Sequence, residues 1–84
     1  MEEKAYSVYV LYSENFKRLY VGMTVCVERR IGEHNRGETH STKHYRPWKL
    51  IYTEVVGTRR QARDKEKYYK SGCGREFVKQ FIPR

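Results

Sequence analysis

The segments YSVYVLYS (residues 6–13) and LYVGM (residues 19–23) decide the fold of this chain. The first segment is rich in β-branched and aromatic residues and is apolar on both alternating faces, which predicts a central strand covered on both sides. Only the polar residues 14–18 separate the two segments. So short a connection favours an antiparallel hairpin.

The pairing of these two strands determines which side chains meet. If Leu11 lies opposite Tyr20, then Tyr9 and Tyr20 project from the same face of the sheet and Gly22 lies opposite Tyr9. The missing side chain at Gly22 would then leave space beside the Tyr9 ring. A slip by one residue would instead place the two rings on opposite faces.

The next part of the chain predicts a helix followed by a loop. Thr24 is a candidate N-cap for a helix from about Val27 to Arg36. Gly37 is a suitable residue to end that helix. Residues 37–47 are polar and irregular, so we expect them to form a loop.

The second half predicts a third strand and two more helices. The strand is WKLIYTEVV (residues 48–56), and we expect Trp48 in the core. Thr58 and Gln61 form a capping box that opens a helix to about Lys70. A last amphipathic helix has an apolar face that comprises Phe77, Val78, Phe81 and Ile82. The order ββαβαα, with helices against a small sheet, indicates an α+β fold.

Charge is distributed unevenly along the chain. The 84 residues suffice for a single domain, which we expect to span residues 1–84. Residues 1–42 hold six basic and six acidic residues, whereas residues 43–84 hold twelve and four, so the second half carries the whole net charge of +8. This asymmetry favours a polyanion such as nucleic acid as partner over a role in solubility alone.

Composition also bears on location and on the cysteines. The longest apolar run is Val8–Tyr12, and residues 1–4 contain two glutamates where a secretory signal would be basic, so we expect a cytoplasmic protein without a membrane span. Cys26 and Cys73 lie far apart and form no CxxC pair. We therefore expect two free thiols that serve as packing residues.

Three polar residues interrupt the apolar stripes of the first two helices. The stripe of the first helix comprises Val27, Arg30, Ile31 and His34, and that of the second comprises Ala62, Glu66 and Tyr69. A charge on an inward face is costly unless it is paired or binds a metal. Arg30 and Glu66 therefore form either a structural ion pair between two helices or part of a functional site.

The carboxylates limit the metal chemistry that is available. Asp64 is the only aspartate, and no pair of carboxylates suggests a two-metal site. The chain also lacks an HExxH motif and a glycine-rich phosphate loop. A single ion with Glu66 as its main protein ligand is the metal site that remains, and Mg²⁺ suits it because Mg²⁺ often takes one or two carboxylates.

Taken together, these residues resemble the GIY-YIG nuclease family. The resemblance rests on SVY at residues 7–9, YVG at residues 20–22, ERRIGEHN at residues 28–35 and the later Glu66. It covers the chain from Tyr6 to about Phe81 and is closest to small stand-alone bacterial members, which are similar to the N-terminal catalytic module of the UvrC excision-repair subunit. A role in DNA repair or recombination is what this resemblance implies.

The resemblance also implies a fold and a role for each site residue. The family fold is a three-stranded antiparallel sheet flanked by helices. Tyr9 matches the tyrosine that helps to activate the attacking water, with His34 as its proton acceptor, and Tyr20 matches the second motif tyrosine, which positions water or phosphate. Arg30 matches the arginine that steadies the phosphate, and Glu66 matches the ligand of one divalent ion, Mg²⁺ or Mn²⁺. The implied activity is that of a metal-dependent DNA endonuclease.

A tyrosine is a poor base at neutral pH because its pKa is ~10. Beside Arg30 and a divalent cation, we expect the pKa of Tyr9 to be lowered.

The chain departs from the family in two respects that affect activity. Larger members carry an asparagine late in the domain, whereas this chain has only Asn15 and Asn35. It also shows no attached DNA-recognition domain, so we expect cleavage that is weakly sequence-selective or directed by a protein partner.

Two other hypotheses use the same sequence differently. The first is a catalytically silent module that binds DNA or RNA through an exposed aromatic side chain and a set of basic residues. That set comprises Arg59, Arg60, Arg63, Lys67, Lys70 and Arg75. The second is a zinc site, whose candidate ligands are His34, His40, His44 and Cys26.

Overall fold

Three antiparallel strands form one sheet with the first strand in its centre, as the α+β prediction requires. The computed structural model describes residues 4–83, so residues 1–3 and 84 of the predicted domain lie outside it. The strands are β1 (Tyr6–Ser13), β2 (Arg18–Thr24) and β3 (Lys49–Gly57). The helices are α1 (Val27–Asn35), α2 (Arg59–Lys70) and α3 (Gly72–Lys79), and a short 3₁₀ turn covers Lys43–Tyr45.

Of the two registers considered for the hairpin, the structure has the one that places Tyr9 and Tyr20 on the same face of the sheet. Leu11 pairs with Tyr20, and Tyr9 pairs with Gly22. β2 is one residue longer at each end than predicted, because residues 18 and 24 also pair with β1.

β1 is the central strand and supplies a core on each face of the sheet. Val8 and Val10 are fully buried beneath α2 and α3, where Ala62, Tyr69 and Val78 pack against them. On the opposite face the buried residues are Tyr9, Leu11 and Trp48, and α1 covers them with Val27 and Ile31. The prediction of a strand covered on both sides is therefore confirmed.

One helix start differs from the prediction and another agrees with it. The N-cap of α1 is Cys26, not Thr24. The Thr24 hydroxyl instead accepts a 3.2 Å hydrogen bond from the Cys26 backbone N–H, which closes a turn before the helix. α2 begins with the predicted capping box, in which Thr58 and Gln61 exchange hydrogen bonds.

The last helix is shorter than predicted. α3 starts directly after Ser71 and ends at Lys79, so Phe81 and Ile82 follow it in a tight turn. Their backbone N–H groups bond three residues back, to Val78 and Lys79. Pro83 accounts for this ending, because a proline disfavours helical geometry in the residue before it and its ring obstructs the preceding turn.

The prediction that both cysteines are packing residues is wrong for Cys73. Both thiols are free, but Cys73 is exposed and Cys26 is only half-buried. Gly74, not Cys73, is the α3 residue that faces α2, since a Cβ there would collide with the backbone of Tyr68 and Tyr69. Between residues 4 and 83, no helix is long and apolar enough to cross a membrane.

Candidate active site

A buried hydrogen bond between Tyr9 and His34 forms the centre of the candidate site. The Tyr9 hydroxyl lies 2.9 Å from His34 Nε2. Tyr9 comes from the central strand and His34 from the last turn of α1, and both side chains are almost completely buried. The structure thus brings together two predicted residues that are 25 positions apart.

A threonine holds the other side of the His34 ring. His34 Nδ1 lies 2.8 Å from the hydroxyl oxygen of Thr42, and that hydroxyl also has an acceptor in the Thr39 carbonyl at 3.4 Å. When Thr42 donates to Thr39, it accepts from an Nδ1–H of His34. Nε2 then carries no proton and accepts one from the Tyr9 hydroxyl.

Burial changes the pKa of both residues in directions that favour their neutral forms. It lowers the pKa of His34 below 6.5, and the nearby positive charge of Arg30 lowers it further, so the ring is neutral at pH 7. Burial also raises the pKa of Tyr9 to about 12, with smaller contributions in the same direction from Tyr20 and Glu66. Arg30 opposes this shift but does not outweigh it. Arg30 alone therefore does not lower the pKa of Tyr9, and the lowering expected beside Arg30 and a divalent cation stays a prediction for the metal-bound protein.

The buried, neutral His34 predicts that stability falls in mild acid. Because the pKa of His34 is lower in the folded state than its usual 6.5, the unfolded chain takes up the proton first as the pH falls. The contribution of neutral His34 to the free energy of unfolding is fully present above pH 6.5. Below that pH it decreases, by at most about 1.4 kcal/mol per pH unit. Thermal melting at about pH 7.5 and 5.5 should show a larger loss for the wild type than for His34→Gln, which cannot titrate. Equal losses would contradict the assignment.

Tyr20 and Gly22 shape the space around this pair. The Tyr20 ring lies 4.8 Å from the His34 ring and 6.2 Å from the Tyr9 ring, measured between centroids. Tyr20 is only partly buried, so its ring forms the outer edge of the group. At Gly22 a Cβ would overlap the phenol end of Tyr9, as the register predicts.

Gly22→Ala is expected to displace the Tyr9 ring and break its bond to His34. Overpacking of this kind costs about 1–3 kcal/mol, so the substitution should lower the melting temperature as well as any activity that depends on the pair. Gly72→Ala is the matched control, because nothing lies within 4 Å of a Cβ at that position. A Gly22→Ala protein that melts like the Gly72→Ala protein would contradict the packing described above.

Arg30 and Glu66 do not pair with each other. The Arg30 Nη1 lies 2.8 Å from Glu33 Oε1, whereas the Glu66 carboxylate lies 3.9 Å from the Lys70 ammonium. The alternative of a structural Arg30–Glu66 ion pair is therefore wrong. Both charges nevertheless affect the pKa of Tyr9, which Arg30 lowers and Glu66 raises. Glu66 is partly buried, with 19% of its side chain exposed.

The site fits a divalent ion only if water and substrate complete its coordination. Within residues 4–83, no group of three His, Cys, Asp or Glu side chains could hold a metal ion. Glu66 is a single carboxylate, and its long contact with Lys70 leaves most of its oxygen lone pairs available. Mg²⁺ accepts such a site, since it keeps several waters and binds substrate phosphates directly.

The zinc hypothesis is wrong for the described part of the chain. Both ring nitrogens of His34 are occupied by Tyr9 and Thr42. The rings of His40 and His44 lie 6.4 Å apart, and they join no other ligand side chain in a metal-binding group.

All six basic residues predicted to bind nucleic acid are exposed. Three of them lie on the same side of α2 as Glu66, because Arg59, Arg63, Glu66 and Lys70 are spaced by four, three and four residues. Arg60 and Lys67 form the adjacent stripe of the helix. Arg75 lies on α3 and lines a depression beside the β1–β2 hairpin.

Two supporting residues were not predicted from the sequence. Thr42 orients His34, but it lies in a polar loop with no motif to single it out. The side-chain amide of Asn35 accepts from the Trp48 N–H at 2.6 Å and donates to the Trp48 carbonyl at 3.0 Å. This bidentate contact fixes the end of α1, and with it His34, to the start of β3. Its position directly after His34 is the one signal that could have drawn attention to Asn35.

The chain is similar to a known protein family and to two curated bacterial proteins. The sequence profile described as "GIY-YIG catalytic domain" matches residues 5–76. A UPF0213 protein of Syntrophus aciditrophicus (strain SB) is 45% identical over 51 residues, which are 58% of this chain and 58% of that protein. A UPF0213 protein of Bacillus licheniformis is 37% identical over 71 residues, or 83% of this chain and 72% of that protein.

The match covers less than two thirds of the Syntrophus protein. No solved structure matches the chain at a comparable level of significance.

Proposed function

Because this chain belongs to the GIY-YIG family, a nuclease-type family, we propose that it is a metal-dependent endonuclease that hydrolyses phosphodiester bonds in DNA. The observation that carries the proposal is the buried hydrogen bond between Tyr9 and His34. A neutral imidazole that accepts from a tyrosine is a means of moving a proton. In this proposal residues 1–84 act as one catalytic domain.

Tyr9 and His34 activate the attacking water. The water oxygen forms a bond to phosphorus while its proton passes to the Tyr9 oxygen, and the Tyr9 proton passes to His34 Nε2. The hydrogen bond from His34 to Thr42 stabilises the imidazolium that results. The bond from phosphorus to the leaving oxygen breaks in the same displacement. Tyr20, at the outer edge of the site, positions the water or the phosphate.

Arg30 and Glu66 act on the phosphate from their places around Tyr9. Arg30 is partly exposed, and its planar guanidinium offers two parallel donors to phosphate oxygens as negative charge builds up. Glu66 would hold one Mg²⁺ or Mn²⁺ ion, which when bound supplies further stabilisation of that charge. Family members generally depend on a divalent metal, which supports this assignment.

The exposed cations of α2 hold the DNA against the site. Arg59, Arg63 and Lys70 flank Glu66 on one side of the helix, so neighbouring phosphates can be bound while the scissile one lies at Arg30. These contacts carry no sequence information. A protein partner that directs cleavage, and a role in DNA repair or recombination, belong to the same proposal.

Nicking of supercoiled plasmid tests the proposal. Purified protein with Mg²⁺ or Mn²⁺ should convert the plasmid to the relaxed form, and EDTA should prevent the conversion. Salt-sensitive binding of plasmid without any nicking in either metal would support the alternative of a catalytically silent nucleic-acid-binding module.

A further inference from the structure

An exposed aromatic side chain lies at the tip of the β1–β2 hairpin. Phe16 is 51% exposed, although the tip of a hairpin is a place for polar residues. It lines two shallow depressions, of about 630 Å³ and 430 Å³, one on each side of the tip.

Basic side chains line both depressions around Phe16. The larger depression contains Lys43 and Arg46. The smaller one contains Lys17, Arg18, Arg75 and Lys79. Two acidic residues lie nearby, and each already pairs with a lysine: Glu76 with Lys79 at 3.1 Å, and Glu14 with Lys49 at 3.5 Å. Neither acid lines one of the two depressions. The surroundings of Phe16 are therefore strongly positive.

Packing fixes the Phe16 ring and connects it to the candidate site. The Tyr45 ring meets Phe16 edge to face at 5.3 Å, and the Arg18 guanidinium lies 4.4 Å from the centre of the Tyr45 ring. Tyr45 in turn neighbours Trp48, and Trp48 neighbours Tyr20. This row of rings runs from the hairpin tip to the face of the sheet that carries Tyr9 and His34.

The turn that presents Phe16 carries backbone strain. Lys17 has a φ of 53°, in the left-handed region that favours glycine or asparagine. The geometry of the turn imposes this conformation, and a lysine in place of glycine costs about 1 kcal/mol there. Lys17 lines the smaller depression together with Phe16.

We propose that Phe16 is a stacking platform for an unpaired base of a DNA strand whose phosphates are held by the surrounding cations. An exposed ring among lysines and arginines is the arrangement by which proteins bind single strands without regard to sequence. In an intact duplex the faces of the bases are already stacked on each other, so the platform selects DNA that has a single-stranded segment. The inference rests on the proposed function, since it names the structural class of the substrate.

Fluorescence anisotropy of labelled oligonucleotides in EDTA tests this platform without cleavage. The two probes are an oligo(dT) strand and a hairpin-closed duplex of similar length. Phe16→Ala should weaken binding of the oligo(dT) strand about tenfold, the loss that corresponds to one stacked base, and should change duplex binding by less than about twofold. Phe16→Trp should retain binding, and its added fluorescence should be quenched by oligo(dT).

Val55→Ala is the matched control for loss of an exposed apolar side chain. Val55 is 74% exposed on β3 and lines neither depression, so its replacement should affect neither probe. Thermal melting of each variant confirms that the fold is intact, since an exposed position should change stability by about 0.5 kcal/mol or less.

Three outcomes would overturn the platform: equal binding of oligo(dT) by wild type and Phe16→Ala, equal losses for both probes, or no binding of oligo(dT) by the wild type. Cleavage of the plasmid and of a labelled duplex with a single-stranded oligo(dT) tail is measured separately in Mg²⁺. Cleavage of the tailed duplex that Phe16→Ala does not affect refutes the platform alone, whereas an absence of cleavage of both DNAs refutes the proposed function and leaves the binding comparison in EDTA decisive for the platform.

Discussion

Glu66→Gln is expected to abolish cleavage while DNA binding stays the same or becomes tighter. The substitution removes the carboxylate that would hold the divalent ion, and with it several kcal/mol of charge stabilisation, so the nicking rate should fall about a thousandfold. It also removes a negative charge from a surface that faces a polyanion. The measurements are plasmid nicking in Mg²⁺ and anisotropy binding in EDTA.

Asp64→Asn provides the matched control for this prediction. Asp64 lies on the same helix but is exposed on another side, beside Gln61 and Tyr68. Asp64→Asn therefore removes the same charge as Glu66→Gln, but away from the site. Its nicking rate should equal that of the wild type. Within residues 4–83, the ion pair of Glu66 is a long contact with Lys70, so Glu66→Gln should change stability by about 0.5 kcal/mol or less. A large fall in melting temperature with nicking retained would show that Glu66 is structural.

Tyr9→Phe is expected to reduce nicking by about 10²- to 10⁴-fold, the range for loss of a positioned proton-transfer group. The ring of the phenylalanine fills the same space, but no hydroxyl remains to bind the water or to donate to His34. The variant also leaves a buried Nε2 without its partner, which costs about 1–3 kcal/mol of stability. Single-turnover nicking measured well below the melting temperature separates the two effects.

Tyr69→Phe controls for the loss of stability. Tyr69 is buried on the opposite face of the sheet, where its hydroxyl donates to Glu54. Burial alone would raise the pKa of Glu54, but the bonds from Tyr69 and Tyr52 and the charge of Lys65 lower it. Tyr69→Phe should therefore destabilise the protein without slowing nicking. If Tyr9→Phe and Tyr69→Phe slow nicking to the same extent, Tyr9 has no part in the chemistry.

The hairpin could be predicted from the sequence because two strand-forming segments are joined by a short connection. Its register could not be selected in this way, since the central strand is apolar on both faces, and the structure has the pairing of Leu11 with Tyr20. That pairing also places Gly22 against Tyr9. The contact of Tyr9 with His34 was implied only by the family resemblance, since no local pattern joins a strand to the end of a helix 25 residues away.

Three features could not be predicted from the sequence: the ion-pair partner of Arg30, the end of α3 and the contact of Thr42 with His34. Arg30 and Glu66 both lie on inward stripes, so a pair between helices was a reasonable alternative, but Glu33 is one turn away on the same helix and takes the guanidinium at 2.8 Å. The end of α3 was placed too late because the apolar spacing continues to Ile82 although Pro83 ends the helix earlier. Thr42 reaches His34 through the path of a loop, which polar residues do not specify.

The central position of β1 has a consequence for how the protein loses activity. Tyr9 points to one core while its neighbours Val8 and Val10 point to the other, so the strand that carries the candidate base also holds both halves of the fold together. Backbone amides in such a strand exchange with solvent only when the whole molecule unfolds. We therefore expect that movement of β1 cannot withdraw Tyr9 from the site without unfolding both cores, so on the Tyr9 side activity is lost together with the fold.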